Sequence, residues 1–186
     1  MRIKIITSNI GKVNEFRAAL YHLGLDVEHV RVPYDEPQVS SLEEVVEKGM
    51  EELRGKGFKD FIIDDSGLFV YDLKGFPGVY SSYVQKTIGN GGILDLMKRQ
   101  NDRNAEFRCC IGADIGGRTI VVTGVCEGMI LKKESGSEGF GFDPIFSADG
   151  ERSFAELPME EKNEISHRGL AIKLLIKELE KLDAVG

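Results

Sequence analysis

Tryptophan is absent from this 186-residue chain, and only three cysteines, three histidines and five prolines are present. Cys109, Cys110 and Cys126 form no CxxC pair, and His22, His29 and His167 are scattered, which argues against a zinc site. The cysteines read instead as buried or strand residues of a reducing compartment. No apolar run approaches the roughly 20 residues that a bilayer span requires. The opening "MRIKIIT" has neither a long apolar h-region nor a small-residue cleavage site, so the expectation is a cytoplasmic protein with no membrane association. Basic residues are in deficit, 24 against 31 acidic, for a net charge of −7. That argues against a broad footprint for DNA or RNA, and a polyanionic ligand would need a local pocket of positive charge. A Walker loop is missing too: the position five residues before Gly11 is Ile6, and Val13 stands where Ser or Thr should follow Lys12.

What is present fits one globular domain over residues 1–186, or two lobes around one cleft. Hydrophobic residues make up 41% and charged residues 30%, an ordinary balance, and a chain of this length buries roughly 70% of its unfolded surface. Residues 3–6 read as a buried strand, and Val13, Phe16, Leu20 and Leu23 recur at helical spacing up to Gly24, leaving Thr7 to Lys12 as a strand-to-helix turn. A second strand is expected over about 26–32. The polar loop "PYDEPQ" then leads to a helix whose start, Ser41 and Glu44, has capping-box spacing. "FIID", 61–64, predicts a short central strand ending at Asp64 and Asp65, followed at once by a Ser-Gly turn. "GGILDLMKRQ" predicts a short amphipathic helix. Two alternating runs around Gly116-Gly117 predict a long hairpin, and the chain closes with a Pro158-led acidic helix and a helix over about 166–182. The sum is a mixed α/β fold with an extended, twisted sheet.

Four polar clusters can carry chemistry. Thr7, Ser8, Asn9 and Lys12 sit at a helix start, where backbone N–H groups and the positive dipole end favour an anion; alternatively Ser8 or Asn9 only caps the helix. In "DDSGLFVYDLKGFPGVYSSYV", Asp64 and Asp65 should point to opposite faces of their strand and do different work, one toward a cation or water and the other bracing the loop. "GFPGVYSSY" reads equally as a pocket wall or a well-packed turn. "EGFGFDPIF" sets Phe140 and Phe142 among glycines, where a flat base could stack or the rings could simply pack. "EKNEISHRGLA" gathers Lys162, His167 and Arg168, donors suited to a carbonyl oxygen or a phosphate, or to a solvated helix start. Glu36 and Lys48, read separately, look like surface charges.

Taken in order, "TSNIGK", "EPQ", "DDSGL", "GFPGVYSSY", "GFGFDPIF" and "AELPMEEKNEISHRG" closely resemble the inosine triphosphate pyrophosphatase, or Ham1-like, family over nearly the whole chain. The resemblance implies a two-lobed mixed α/β fold with an elongated twisted central sheet and a cleft between lobes. It also implies a homodimer and Mg²⁺-dependent cleavage of the noncanonical purine nucleotides ITP, dITP and XTP to monophosphate and pyrophosphate. Residue by residue, it implies that Thr7, Ser8, Asn9, Ile10, Gly11 and Lys12 hold the phosphates, with Lys48 nearby. Glu36 and Asp65 would bind Mg²⁺, Asp65 would be the catalytic base, and Ser66 would lie beside the substrate. Phe140, Gly141, Phe142 and Asp143 would stack on and orient the base, with Lys162, His167 and Arg168 completing the pocket. Selectivity would arise at the purine 6-position, an oxygen acceptor in ITP and XTP but an amino donor in ATP, with Arg168 or nearby backbone as the donor. Phe142 departs from the pattern in having no phenol or indole donor, and "SYV" after "GVYS" lacks an arginine found in many members. Two other readings stand beside this one: a Maf-like pyrophosphatase for pyrimidine or modified nucleotides, and a nucleotide-binding protein without catalysis.

Overall fold

The computed structural model describes residues 2–21, 26–33 and 39–183. Among these residues six strands, β1 (Arg2–Ile6), β2 (Asp26–Val30), β3 (Phe61–Val70), β4 (Asn104–Ile115), β5 (Arg118–Ile130) and β6 (Phe146–Ser147), form one sheet in the order β2-β1-β3-β4-β5-β6. β1 pairs in parallel with both β2 and β3, and β6 pairs antiparallel with β5, so the sheet is mixed. The helices are α1 (Ile10–Leu20), α2 (Leu42–Gly55), α3 (Ser81–Thr87), α4 (Gly89–Leu96), α5 (Met159–Ile165) and α6 (His167–Asp183). The mixed α/β class expected from the alternation of patterns is the class observed.

The chain divides into two compact units, the first comprising Met1–Asp65, Cys109–Gly124 and Arg168–Gly186. Its core joins Val13, Phe16 and Leu20 of α1, Ala171, Ile172 and Leu175 of α6, and Ile3, Ile5, Ile62, Cys109, Ile111 and Ala113 of the strands. Each large side chain buried there contributes about 1.5–3 kcal/mol, and this packing rather than helix propensity holds α1 and α6. Alternation along β4 sends Gly112 to the other face, where a methyl group would collide with Val46 and Met50 of α2. Hence α1 and α6 cover one face of the first unit's strands, and α2 covers the opposite one.

The second unit comprises Ser66–Arg108 and Val125–His167. Leu68, Val70, Phe107, Cys126, Phe142, Phe146 and Phe154 are among its core residues. Phe146 meets Phe107 and Phe154 edge-on, with centroids 4.7 and 5.0 Å apart, the arrangement that ring quadrupoles favour. Near its start, the Leu68 N–H donates to Ser81 Oγ at 2.8 Å, and that hydroxyl donates to the Gly78 carbonyl at 2.7 Å. Gly67 lies so close that a methyl group would collide with the Gly78 carbonyl. "GFPGVYSSY" is thus a tightly packed turn leading into α3, a helix that the sequence pattern did not announce.

Other boundaries differ for identifiable reasons. α1 begins at Ile10 rather than Val13, because Asn9 caps it. The Ser41 side chain caps α2 by accepting the Glu44 N–H, the forward half of the expected box, while Glu44 accepts the Ser40 and Ser41 hydroxyls. β3 does not end at Asp64-Asp65. It continues to Val70, and Ser66-Gly67 is strand, because Gly67 serves the close approach to Gly78 and not a turn. The hairpin forms as expected, with Gly116 and Gly117 at φ of 58° and 75°, two successive left-handed residues as a two-residue turn demands. His22, Leu23, Gly24 and Glu36 lie outside the described residues.

Candidate functional site

In the first unit the site grows from the end of β1. Asn9 adopts extended backbone, and its Oδ1 accepts the Gly11 and Lys12 N–H groups at 2.8 and 3.4 Å. The cap takes two helix-start donors that an anion could otherwise use. Among the described residues, the Ile10 N–H and the exposed Ser8 hydroxyl stay without a partner, beside the positive end of the helix. Lys12 turns inward, its Nζ 3.1 Å from Asp64 Oδ2 and donating at 3.1 Å to the Asp64 carbonyl oxygen. An ammonium has three hydrogens, so one is left over.

Asp64 is fully buried and also accepts Arg168 Nε at 3.1 Å and the Cys109 thiol at 3.6 Å. Arg168, 1% exposed, pairs through Nη1 with the buried carboxylate of Glu15. Burial opposes ionisation of Asp64, but the Lys12 and Arg168 charges outweigh it and hold its carboxyl below the usual carboxylate range. Burial likewise opposes the Arg168 charge, and Asp64 and Glu15 retain it. Two cations and two carboxylates cancel, so these four groups offer a polyanion no surplus of positive charge. Arg168 is buried, with its Nε and Nη1 directed to Asp64 and Glu15.

Asp65, the next residue, belongs to the opposite face and is half-buried. The thiol of Cys110, also on the α2 side, registers this: burial first, then the charges of Glu43, Asp65 and Glu47, push it up to about 12 against a lowering hydrogen bond with Thr123. Glu43 of α2 accepts the Thr123 hydroxyl at 2.6 Å. The Cys110 thiol thus senses the carboxylates of Asp65 and of one edge of α2, while Lys48 lies on the exposed side of that helix. Among the described residues no three His, Cys, Asp or Glu side chains converge as a ready-made metal cage. The donor chemistry nevertheless suits Mg²⁺, which uses one or two carboxylates and completes its shell with water and phosphate oxygens.

The second unit holds the other expected residues. Asp143 and Lys162 are both buried and paired, Nζ to Oδ2 at 2.8 Å. The same Oδ2 accepts the Phe140 N–H at 2.7 Å, and the Lys162 ammonium lies 5.0 Å from the Phe140 ring centroid. Gly139 has φ of 72°, and a methyl group there would collide with the Asp143 carboxylate, so only glycine permits this turn. The His167 ring stacks on Phe107 at 4.5 Å with an interplanar angle of 13°. Ser66 follows Asp65 in β3 and is half-buried; Gly141 sits at φ of 65°. Phe142 is buried in the second unit's core, and Phe140 is left partly exposed.

Three residues that organise these groups were not singled out by motif. Glu15 had a signal, since Lys12 and Glu15 are i,i+3 and share a helix face. Ser81 lies in the quoted "GFPGVYSSY" stretch three residues from its partner Gly78, whereas Gln85, whose Nε2 donates to the Gly141 carbonyl at 2.9 Å, had no signal, because its partner lies in a separate stretch of sequence.

A sequence model of the Ham1 family matches residues 3–178. The chain is 49% identical over 174 residues to the dITP/XTP pyrophosphatase of Pyrococcus horikoshii, covering 93% of this chain and 94% of that protein. It has the same identity and coverage with the dITP/XTP pyrophosphatase of Thermococcus kodakarensis. Among solved structures, the Ham1 protein of Staphylococcus aureus superposes with a TM-score of 0.81 at 31% identity, over 97% of this chain and 99% of that one. A match over nearly the whole length in sequence and in fold has one meaning: this chain belongs to the Ham1 family.

Proposed function

We propose that the protein hydrolyses ITP, dITP and XTP to the nucleoside monophosphate and pyrophosphate, clearing noncanonical purines from the nucleotide pool as one catalytic domain over residues 1–186. The observation that carries this reading is the division at β3. Asp64 is locked between Lys12 and Arg168, and Asp65 stands half-exposed on the opposite face. The names carried by relatives 49% identical over almost the full chain point to the same chemistry.

In this reading the Lys12 ammonium, Asn9, Ser8 and the start of α1 receive the phosphates, with Thr7 and Gly11 shaping the backbone and Lys48 adding charge. Asp65, with Glu36, holds Mg²⁺. The metal, when bound, neutralises the triphosphate and stabilises pyrophosphate as a leaving group. Asp65 accepts a proton from the water that attacks the α-phosphorus, with Ser66 beside it. Phe140 stacks on the base, Lys162 and Asp143 orient that ring, and His167 supports the same pocket. Arg168 acts through Asp64 and Glu15. We assign the protein to the cytoplasm, where its substrates form, and take it to be a homodimer; among the described residues no helix is long and apolar enough to cross a membrane.

A substrate panel with Mg²⁺ tests the reading. ITP, dITP and XTP should be turned over far faster than ATP, GTP, UTP or dTTP. Faster turnover of the pyrimidine nucleotides would favour the Maf-like alternative, and no turnover of any would favour a binding protein.

A further inference from the structure

Thr7 is gripped at each of its polar positions. Its N–H donates to the Val30 carbonyl at 3.2 Å, its hydroxyl oxygen accepts the Asn9 N–H at 3.2 Å, and its carbonyl oxygen lies 2.9 Å from His29 Nε2. The first of these is a backbone bond just beyond the end of β1 that any residue but proline could make. The third is made by a side chain and so depends on the sequence. A carbonyl can only accept, so the His29 ring carries its proton on Nε2, in the neutral tautomer and in the imidazolium alike. His29 is half-buried on the same face of β2 as Val27, which packs against the first unit's core, and its backbone is in register with Ile5. The ring is therefore fixed on its strand and is not a mobile surface group.

The consequence falls on the peptide that joins Thr7 to Ser8. In a trans peptide the C=O and N–H point in opposite directions. With the Thr7 oxygen drawn toward β2, the Ser8 N–H is turned away from it, and the chain enters Asn9 in the extended conformation that lets its Oδ1 cap α1. Without the imidazole, this peptide could rotate and present its carbonyl oxygen, a partial negative charge, to an approaching phosphate. We infer that His29 is a positioning residue: by donating Nε2–H to the Thr7 carbonyl it fixes the Thr7–Ser8 peptide in the orientation that receives phosphate. The inference rests on the proposed role of Thr7 to Lys12 in holding the triphosphate.

Two substitutions in the full-length protein test it. In His29→Gln the amide nitrogen can take the place of Nε2 and still donate, whereas His29→Leu keeps the bulk and removes the donor. With ITP and Mg²⁺, His29→Leu should raise KM about tenfold, the scale of one net hydrogen bond, with kcat changed less than about twofold, and His29→Gln should stay within about twofold of wild type on both. Calorimetric titration with inorganic triphosphate should give the same ratios in Kd. The inference is overturned if His29→Leu equals wild type, if His29→Gln is as impaired as His29→Leu, or if kcat falls while KM and Kd hold. Should His29→Leu not fold, ¹⁵N NMR of the wild type decides. The ring should be protonated at Nε2 and its resonance should move on adding inorganic triphosphate; an Nδ1–H tautomer or an unmoved resonance overturns the inference. Wild-type protein that binds triphosphate without hydrolysing ITP refutes the proposed activity alone, since the Kd ratios still decide the role of His29. Wild-type protein that binds no triphosphate refutes both.

Discussion

Lys12 Nζ lies 3.1 Å from Asp64 Oδ2 and donates at 3.1 Å to the carbonyl oxygen of the same residue. One ammonium thereby joins the start of α1 to both the side chain and the backbone of β3. Replacing the carboxylate leaves Lys12 without its ion-pair partner and takes from the buried Arg168 one of its two, Glu15 remaining. Asp64→Asn should therefore lose about 3–5 kcal/mol in chemical denaturation, the usual cost of unpairing a buried charge. An unchanged denaturation midpoint would show that the network does not hold the fold.

The same residue gives the pH dependence its sign. The folded-state pKa of Asp64 is depressed, so the unfolded chain takes up the proton first as pH falls. Its contribution is complete above the unfolded value, about 3.9, and is lost as pH falls from there through the folded value. Thermal melts should show stability dropping below about pH 4, and Asp64→Asn should flatten that part of the profile. Stability that rises on acidification in this range would contradict the assignment.

The cysteines should be inert in the folded protein. All three are buried, with burial first among the causes that push Cys110 up to about 12 and Cys126 to about 11, and burial raises Cys109 as well. At pH 8 iodoacetamide should label none of them until denaturant is added, because the thiolate is the reactive form. Rapid stoichiometric labelling of the native protein would be the contrary result.

Phe140 and Phe142 are two residues apart and should respond differently. Phe142→Ala empties a core position and should cost about 3–5 kcal/mol of stability. Phe140→Ala should leave the denaturation midpoint nearly unchanged and weaken nucleotide binding by about 1–3 kcal/mol, read as a higher KM for ITP. Equal effects of the two substitutions on KM would remove the basis for assigning the stacking role to Phe140.

That contrast marks where the sequence stopped being readable. Periodicity located α2 and α6, the hairpin at Gly116-Gly117 followed from its turn chemistry, and alternation along a strand separated Asp64 from Asp65. Which of two aromatics flanking one glycine is buried is set by tertiary packing, and local sequence carries no trace of it. Ser66-Gly67 looked like a turn because glycine marks turns and close backbone approaches alike, and only the nearness of Gly78 distinguishes them. The ion pairs of Arg168 were not legible because its buried partners, Glu15 and Asp64, are 153 and 104 residues away in sequence.

The central claim is that water attacks the α-phosphorus with Asp65 accepting its proton. The most direct test is hydrolysis of ITP with Mg²⁺ in ¹⁸O-enriched water, with products resolved by mass spectrometry. One ¹⁸O is expected in the phosphate of IMP and none in pyrophosphate, with near-complete loss of turnover in Asp65→Asn. Label in pyrophosphate, or IDP with labelled orthophosphate, would contradict it.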